Sequence, residues 1–206
     1  MRIAYQGEPG AYSEAAARHY AGPQADTLPC KSFDEVFEAV VKKKATHGVV
    51  PLENSIGGTI HRNYDLLLDH EISITGEVEL DVIHCLQALP GTRISDVKVV
   101  YSHPQALAQC ERYLKELGVT VEAVYDTAGG AKLVAEQKLK SAAALASRRA
   151  AEVFGLVVLQ EAVQDYEYNI TRFAIIGGVT GPDADKTTIV FALPSEPGSL
   201  FRALSV

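Results

Sequence analysis

The stretch VVPLENSIGGTIHRNYDLLL, residues Val49 to Leu68, contains a strand, a polar turn and a helix in direct succession. An apolar run ends at Pro51, and apolar residues return from Ile60 onward at helical spacing. The turn between them holds a carboxylate, an amide, a hydroxyl and paired glycines: Glu53, Asn54, Ser55, Gly57 and Gly58. Capping a helix needs only one polar side chain, so this surplus predicts a ligand site where a buried strand ends.

Composition restricts the class of protein. The chain has 206 residues, 47% of them hydrophobic, which predicts one large or two modest α/β units. No run approaches eighteen apolar residues, so we expect no membrane span, and MRIAYQGEPG does not resemble a signal peptide. We therefore expect a cytoplasmic protein, or one of the plastid stroma if it comes from a plant or alga. The net charge of −7 and the absence of a basic block argue against nucleic acid as a partner.

Strands and helices alternate along the chain, which favours parallel sheets with helices on both faces. Several strand-to-helix turns are polar or rich in glycine, and in such sheets these turns meet at the edge where ligands bind. They include GEPGAYS, SHPQ, the DTAGG segment and Ser147. For Thr127 and Ser147 taken alone, simple helix capping is the favoured interpretation.

A second polar segment opens an apolar strand, in YNITRFAII from Tyr168 to Ile176. Asn169, Thr171 and Arg172 either form an ordinary strand end with a surface arginine, or place an arginine fork for a carboxylate beside a hydroxyl donor. No nucleophile has an adjacent base, and neither a GK[ST] loop nor a GxGxxG motif is present. Cys30, Cys85 and Cys110 lack metal-ligand spacing. We expect no cofactor and no metal.

Five segments carry a family resemblance: GEPGAYSE, PLENSIGGTIHRNYDLL, SHPQALAQC, YDTAGGA and NITRF. In this order they resemble the motifs of the prephenate dehydratase family, and LPSEPGSLFRAL resembles the opening of the phenylalanine-binding ACT domain that follows in that family. The resemblance covers essentially residues 1–206.

The resemblance implies an α/β fold of two lobes, similar to type II periplasmic binding proteins, with the site in the cleft between them. Residues 1–178 would form the catalytic region. Its first lobe would span about 1–80 plus 172–177, and its second about 81–165. A linker at 179–186 would precede residues 187–206, the first part of a truncated ACT domain of the ferredoxin-like class.

The implied reaction converts prephenate, a small anionic molecule, to phenylpyruvate with loss of carbon dioxide and water. The ring becomes aromatic, so neither a redox cofactor nor a metal is needed. Two alternatives stay open: an arogenate dehydratase that makes phenylalanine, and a non-catalytic binding protein for an aromatic amino or keto acid.

The resemblance also assigns roles to residues. Thr171 would donate a hydrogen bond to the leaving hydroxyl, Arg172 would supply positive potential or anchor a carboxylate, and Phe173 would pack on the ring. Glu53 would orient a donor. We predict only one strong carboxylate clamp, because the ring carboxylate must depart. Residues that would bind the substrate are Asn54, Ser55, Gly57, Gly58, Ser102, Gln105, Gln109 and Thr127.

The C-terminal segment would form part of a regulatory site, at Pro197, Gly198, Ser199 and Leu200. Phenylalanine would be an effector only of a complete ACT domain, so we expect the chain as given to lack normal phenylalanine inhibition. TTIVFAL, residues 187–193, is expected to be a bare strand that promotes association. The resemblance implies a homo-oligomer, either a dimer or a tetramer.

Overall fold

The computed structural model describes residues 1–179, 181 and 184–205. The expected linker at 179–186 therefore lies partly outside the described residues, as does the last residue of the expected ACT fragment. The strands are β1 (Arg2–Gln6), β2 (Asp26–Cys30), β3 (His47–Asn54), β4 (Gly58–Thr59), β5 (Ile74–Asp81), β6 (Cys85–Ala88), β7 (Val99–Ser102), β8 (Thr120–Ala123), β9 (Ala142–Ala146), β10 (Val157–Gln160) and β11 (Ile170–Gly177). The α-helices are α1 (Tyr12–Ala21), α2 (Phe33–Val41), α3 (His61–Asp69), α4 (Pro104–Gln109), α5 (Glu111–Leu117), α6 (Thr127–Glu136), α7 (Arg148–Phe154) and α8 (Ser199–Leu204).

The strands form two sheets, and each sheet is the centre of one lobe. The first lobe has the order β2-β1-β3-β11-β5, with β4 paired to β3, and the second has the order β10-β6-β9-β7-β8. The chain leaves the first lobe after β5 and returns in β11, which inserts between β3 and β5. This is the predicted two-lobed architecture of type II periplasmic binding proteins.

Both sheets are mixed, which differs from the parallel sheets that alternation favoured. β1 runs parallel to β2 and β3, but β11 is antiparallel to β3 and β5. In the second lobe β7 is parallel to β8 and β9, whereas β6 is antiparallel to β9 and β10. The antiparallel strands are those by which the chain enters and leaves the second lobe, so the crossings between lobes account for the difference.

Local sequence explains several helix boundaries. Ser32 caps α2 by accepting a hydrogen bond from the backbone N–H of Glu35 at 3.2 Å, as its spacing predicts. Gly118 ends α5 in the left-handed conformation, with φ of 69°. The single helix expected after Pro104 is instead two helices, α4 and α5, because the backbone leaves helical geometry at the buried residue Cys110.

The C-terminal segment departs from expectation. Within residues 184–205 the structure contains α8 but no strand, so the prediction of a strand at 187–193 is wrong for this structure. The segment forms no backbone ladder with either sheet, and Ile189 and Phe191 are exposed. None of the helices in the described residues is both long and apolar enough to cross a membrane.

A shared core joins the two lobes. Buried apolar side chains form one continuous cluster from Tyr5 in β1 and Ala11 before α1 to Ala150 in α7 of the second lobe. Gly10, with φ of +92°, lets the two backbones approach so closely that an added Cβ would lie 2.6 Å from Ala150 Cα. Ser147 Oγ also donates to the carbonyl of Gly10 at 2.6 Å.

A buried ion pair reinforces the same contact. Glu14, only 2% exposed, accepts from the Gly10 N–H at 2.6 Å and pairs with Arg18 at 2.7 Å and with Arg149 of the second lobe at 3.3 Å. Burial alone would raise the pKa of Glu14, but these partners outweigh burial and hold the pKa below its usual value. The carboxylate is therefore charged and fully partnered.

Candidate active site

A cavity of about 500 Å³ lies between the lobes and contains most of the polar side chains singled out by the sequence. Residues of both lobes line it, with apolar walls that include Ala11, Ile60, Val82 and Phe173. The polar side chains at the cavity are Gln6, Tyr12, Ser13, Ser32, Asp34, Asn54, His84, His103, Gln105, Gln109, Tyr125, Asp126, Thr127 and Thr171.

A β-bulge brings the polar end of β3 to this cavity. Asn54 pairs with Thr171, and Pro51 pairs with Phe173, so that two residues of β3 oppose the single residue Arg172 of β11. Residues three apart on a regular strand point to opposite faces, yet Pro51 and Asn54 both line the cavity. Because of the extra residue in β3, Pro51 and Asn54 both lie on the face of the sheet where Thr171 and Phe173 of β11 line the cavity.

Asn54 closes its own turn and contacts Thr171. Its side-chain oxygen accepts from the backbone N–H groups of Ile56 at 3.1 Å and Gly57 at 2.6 Å. Its amide nitrogen donates to Thr171 Oγ1 at 3.0 Å and to Asn169 Oδ1 at 2.7 Å. The two backbone donors fix which end of the amide is oxygen, so the NH₂ group must face Thr171.

The hydrogen bond from Asn54 determines where the hydroxyl hydrogen of Thr171 can point. Because Thr171 Oγ1 accepts from Asn54, its own hydrogen remains available, and no acceptor for it lies within bonding distance among the residues that the structure describes. Thr171 is 7% exposed and lines the cavity. The O–H group is therefore presented to the cavity as a donor.

Gln109 extends the network from the second lobe. Its Nε2 donates to Asn54 Oδ1 at 3.4 Å, and its Oε1 accepts from Asn169 Nδ2 at 3.0 Å. His84 Nε2 lies 2.9 Å from the same oxygen, so this ring nitrogen must carry the hydrogen. The two backbone N–H groups that bind Asn54 therefore fix the orientation of the Asn54 amide, which fixes that of the Gln109 amide. The Gln109 oxygen in turn determines the tautomer of His84.

Tyr12 and His84 complete the network behind the cavity. The Tyr12 hydroxyl lies 2.8 Å from the carbonyl of Ile83 and 3.0 Å from His84 Nδ1, and these two acceptors share its single hydrogen. Burial lowers the pKa of His84, and the hydrogen bond with Gln109 offsets only part of this effect. The neutral imidazole is therefore the favoured form at neutral pH.

Arg172 and Glu53 are placed on the opposite face of the sheet. Arg172 pairs with Glu53 and with Glu77 of β5, both at 2.9 Å, and the hydroxyl of Tyr64 donates to Glu53 at 3.1 Å. The hydrogen bond from Arg172 lowers the pKa of Glu53. Neither side chain lines the cavity, so the structure does not support the predicted contact of Arg172 with a substrate carboxylate. Glu53 orients this arginine instead of a donor at the cavity.

The rest of the turn binds protein rather than presenting free amides. Ser55 Oγ accepts from the N–H of Ile170 at 2.9 Å and donates to the carbonyl of Tyr168 at 3.2 Å. An added Cβ at Gly57 would clash with the Gln105 amide from the second lobe, and Gly58 has φ of +77°. The predicted close approach is therefore to Gln105, and the Gly57 N–H is already occupied by Asn54.

The substrate-binding residues predicted in the second lobe also fall into two groups, those that line the cavity and those that bind other parts of the protein. Gln105, Gln109 and Thr127 reach the cavity, whereas Ser102 is fully buried and donates to the carbonyl of Leu145 at 2.7 Å. The cap of α6 is Asp126, not Thr127, since Asp126 accepts the N–H of Gly129.

Four positions at or behind the cavity were not predicted as site residues: Tyr12, Asp126, Asn169 and His84, the last of which the sequence predicted only as a structural or hydrogen-bonding residue. Asn169 belongs to the polar group at the start of β11, and Asp126 directly precedes the predicted residue Thr127. Their sequence positions beside predicted site residues could therefore have indicated them. Tyr12 and His84 are 72 residues apart and meet only through the pairing of the lobes.

The predicted regulatory residues lie away from the cavity. Pro197 and Gly198 precede α8, Ser199 begins it, and Gly198 has φ of 81°. Ser199 is buried and accepts from Arg202 at 3.2 Å, while Leu200 is 55% exposed. Within the described residues no group of three His, Cys, Asp or Glu side chains is placed to hold a metal ion.

With this site in view, the chain was compared with known proteins. The profile of the family described as "Prephenate dehydratase" matches residues 3–180, and the chain belongs to this family. Arogenate dehydratase 2 of Petunia hybrida is 52% identical over 210 residues, covering 100% of this chain and 53% of the relative. Arogenate dehydratase/prephenate dehydratase 2, chloroplastic, of Arabidopsis thaliana is 50% identical, covering 100% of this chain and 55% of the relative. The chain spans about half the length of these curated relatives.

Solved structures agree with this fold. Prephenate dehydratase from Arthrobacter aurescens, in complex with L-Phe, has a TM-score of 0.84 and 26% identity, covering 100% of this chain and 71% of that one. A structure titled "GqqA- a novel type of quorum quenching acylases" has a TM-score of 0.82 and 34% identity, covering 99% of this chain and 76% of that one.

Proposed function

We propose that the chain is a lyase that removes carbon dioxide and water from a cyclohexadienyl acid of the prephenate or arogenate class. Membership of the prephenate dehydratase family supports the reaction, and the names of the two plant relatives include both substrates. The observation that carries the proposal is the hydroxyl of Thr171, which Asn54 holds so that its hydrogen faces the cavity.

The reaction needs a hydrogen-bond donor at the ring hydroxyl and a ring carboxylate that is free to leave at the opposite carbon. The bond between the ring and its carboxylate breaks, its electron pair enters the ring, and the C–O bond to the ring hydroxyl breaks at the opposite carbon. Thr171 donates a hydrogen bond to the departing oxygen, which leaves as hydroxide and becomes water by taking one proton from solvent. A donor bond that strengthens in the transition state contributes about 10²–10³-fold to the rate.

The cavity fits the remaining requirements. Phe173 and Ala11 provide apolar surface for a flat ring, while Gln105 and Gln109 provide neutral amide donors. Among the residues that the structure describes, no lysine or arginine side chain lines the cavity. A tightly held ring carboxylate would resist decarboxylation, because its charge is lost as the bond breaks. Neutral donors bind it without that penalty.

The domain boundaries and the assembly are also proposals. We assign residues 1–178 to the catalytic region, 179–186 to a linker and 187–206 to the first part of an ACT domain, with a dimer or tetramer as the assembly. The plant relatives named as chloroplastic support a plastid location if the chain comes from a plant or alga.

The test is turnover by the whole chain and two variants. Purified protein is given prephenate or arogenate, and phenylpyruvate and phenylalanine are quantified. We expect Thr171→Val, which keeps the shape but removes the donor, to lower kcat by about 10²–10³-fold, and Thr171→Ser to recover much of the loss. Equal turnover by wild type and Thr171→Val would overturn the assignment. Binding without turnover in the wild type would favour a binding protein.

A further inference from the structure

The charge of the cavity differs from that expected for a dianion site. Asp34 and Asp126 line it, and no lysine or arginine side chain does so within the described residues. Prephenate carries two carboxylates and no cation, whereas arogenate carries an ammonium group where prephenate has a keto oxygen. A carboxylate facing the cavity repels the carboxylates of both ligands, but it attracts the ammonium group that only arogenate carries.

The two carboxylates are not equivalent. Asp34 forms an ion pair with Arg62, and its side chain is half exposed, so its charge is compensated and screened. Asp126 is only 8% exposed and forms no ion pair within the described part of the chain. Its partners are two backbone N–H groups, those of Gly129 and of Glu8, the latter at 3.2 Å.

A lysine of α6 is engaged by another carboxylate. Lys132 pairs with Glu8 at 3.1 Å, and the hydroxyl of Tyr125 donates to the same Glu8 oxygen at 2.9 Å. Asp126 is therefore left with a buried charge that two peptide dipoles stabilise only in part. Consistent with this, burial raises the pKa of Asp126 despite the bonds from Gly129 and Glu8.

Asp126 retains capacity for another donor. A carboxylate offers about four lone-pair sites, and the two backbone N–H groups use one on each oxygen. An ammonium group brings three N–H donors and the missing positive charge. A keto oxygen brings only lone pairs, which a carboxylate cannot bind.

The position of Asp126 in the cavity suits this role. Its hydrogen bonds join it to the loop after β1 and to the start of α6, whereas those of Thr171 join it to Asn54 at the end of β3. The two groups line one cavity from different lobes. In the substrate, the leaving hydroxyl and the side chain stand on opposite carbons of the ring, so the ligand has one polar group for each.

We propose that Asp126 binds the α-ammonium group of arogenate and makes this site selective for the amino acid over the keto acid. The inference rests on the proposed function and adds the residue that selects the substrate. Asp126 thus has two functions, since the same carboxylate caps α6 through the Gly129 N–H.

The experiment compares kcat/KM for arogenate and prephenate in wild type, Asp126→Asn and Asp126→Ser. Both replacements retain a side-chain acceptor that caps helices well. We expect wild type to favour arogenate, and we expect the ratio of kcat/KM for arogenate to that for prephenate to fall by about 10–100-fold in both variants, chiefly through a higher KM for arogenate. Asp34→Asn is the matched control, and we expect it to leave the ratio of the two kcat/KM values unchanged.

A purely structural role of Asp126 would give different kinetic results. If Asp126→Asn and Asp126→Ser lower both kcat/KM values by the same factor, or if wild type favours prephenate, the inference is wrong while the proposed reaction stands. If wild type turns over neither substrate, the proposed function fails, and calorimetric affinities decide about Asp126. A preference for binding arogenate that Asp126→Asn abolishes would support the inference, and equal affinities in wild type would refute it.

Discussion

Thr171 and Arg172 are neighbours on β11, yet the two faces of this strand do different things. Thr171 is buried at the cavity and receives a hydrogen bond from Asn54. Arg172 lies on the far face between Glu53 of β3 and Glu77 of β5, and so ties three strands together. Successive side chains of a strand point to opposite faces, so one short motif presents a hydroxyl to the cavity on one side and links three strands on the other.

After the loss expected for Thr171→Val, the largest expected effect is also at the cavity face, with Asn54→Asp. The new carboxylate would still accept from the N–H groups of Ile56 and Gly57, but it has no hydrogen to donate to Thr171. The Thr171 hydroxyl would then donate to this carboxylate instead of to the substrate. We expect kcat to fall by about 10²-fold in steady-state assays with prephenate and arogenate.

The matched control is Asn63→Asp, because Asn63 is also a buried amide whose nitrogen donates, to the carbonyl of Pro51 at 2.6 Å. This side chain lies outside the cavity lining. We expect the control to lower stability and to change kcat per folded molecule by less than about threefold. Similar losses of kcat in both variants would mean that Asn54 acts through folding alone.

An intermediate effect is expected on the far face, with Arg172→Met. Each of its ion pairs is partly exposed, and such pairs contribute about 0.2–1 kcal/mol. Their loss also leaves Glu53 and Glu77 as neighbouring like charges. We therefore expect the free energy of unfolding in urea to fall by roughly 1–2 kcal/mol, with kcat/KM changed by less than about threefold.

Arg93→Met provides the comparison, since Arg93 pairs with Asp96 in a single exposed ion pair. Its removal should change the free energy of unfolding much less than Arg172→Met does, because this ion pair is fully screened by solvent. A drop of about 10²-fold in kcat for Arg172→Met, without matching unfolding, would restore a role for this arginine at the substrate and would erase the contrast between the two faces.

The smallest expected effect is the pH dependence of the difference in stability between wild type and Arg172→Met. Arg172 lowers the pKa of Glu53, and Lys186 followed by Arg172 lowers the pKa of Glu77. A carboxyl whose pKa is lower in the folded state stabilises the fold fully above its unfolded pKa, and this contribution is lost as pH falls through the folded pKa. Wild type and Arg172→Met should therefore approach each other in stability as pH falls from about 5 to 3.

This convergence is best measured by urea unfolding at low ionic strength, because half-exposed charges are screened by salt. The gap between the two proteins should be largest near pH 7. A gap that stays constant down to pH 3 would mean that Arg172 stabilises the sheet through packing of its side chain rather than through charge.

The sequence allowed the order of elements and part of the cavity lining to be predicted. Asn54, Gln105, Gln109, Thr127, Thr171 and Phe173 all line it, because polar strand-to-helix turns and the return strand meet between the lobes. The two-lobed fold was confirmed, although it rested on the family resemblance rather than on periodicity.

What was missed depends on register and on tertiary pairing. The bulge in β3, which no local pattern reveals, places Pro51 and Asn54 on the same face, and Glu53 and Arg172 then lie on the other face beside Asn54 and Thr171. The strand expected at 187–193 forms no ladder with either sheet, and a strand requires a partner as well as propensity. The amides expected to bind a carboxylate are used by Asn54 within the same turn, a competition that composition alone does not resolve.

The apolar cluster that runs from Tyr5 to Ala150 has a consequence for cooperativity. A two-lobed chain with separate cores could lose one lobe while keeping the other, but here the first lobe and α7 bury the same side chains. The close packing of Gly10 on Ala150 excludes water at this contact, although the cavity separates the lobes elsewhere. We therefore expect the lobes to unfold together, so that a packing defect in either one lowers the melting temperature of both.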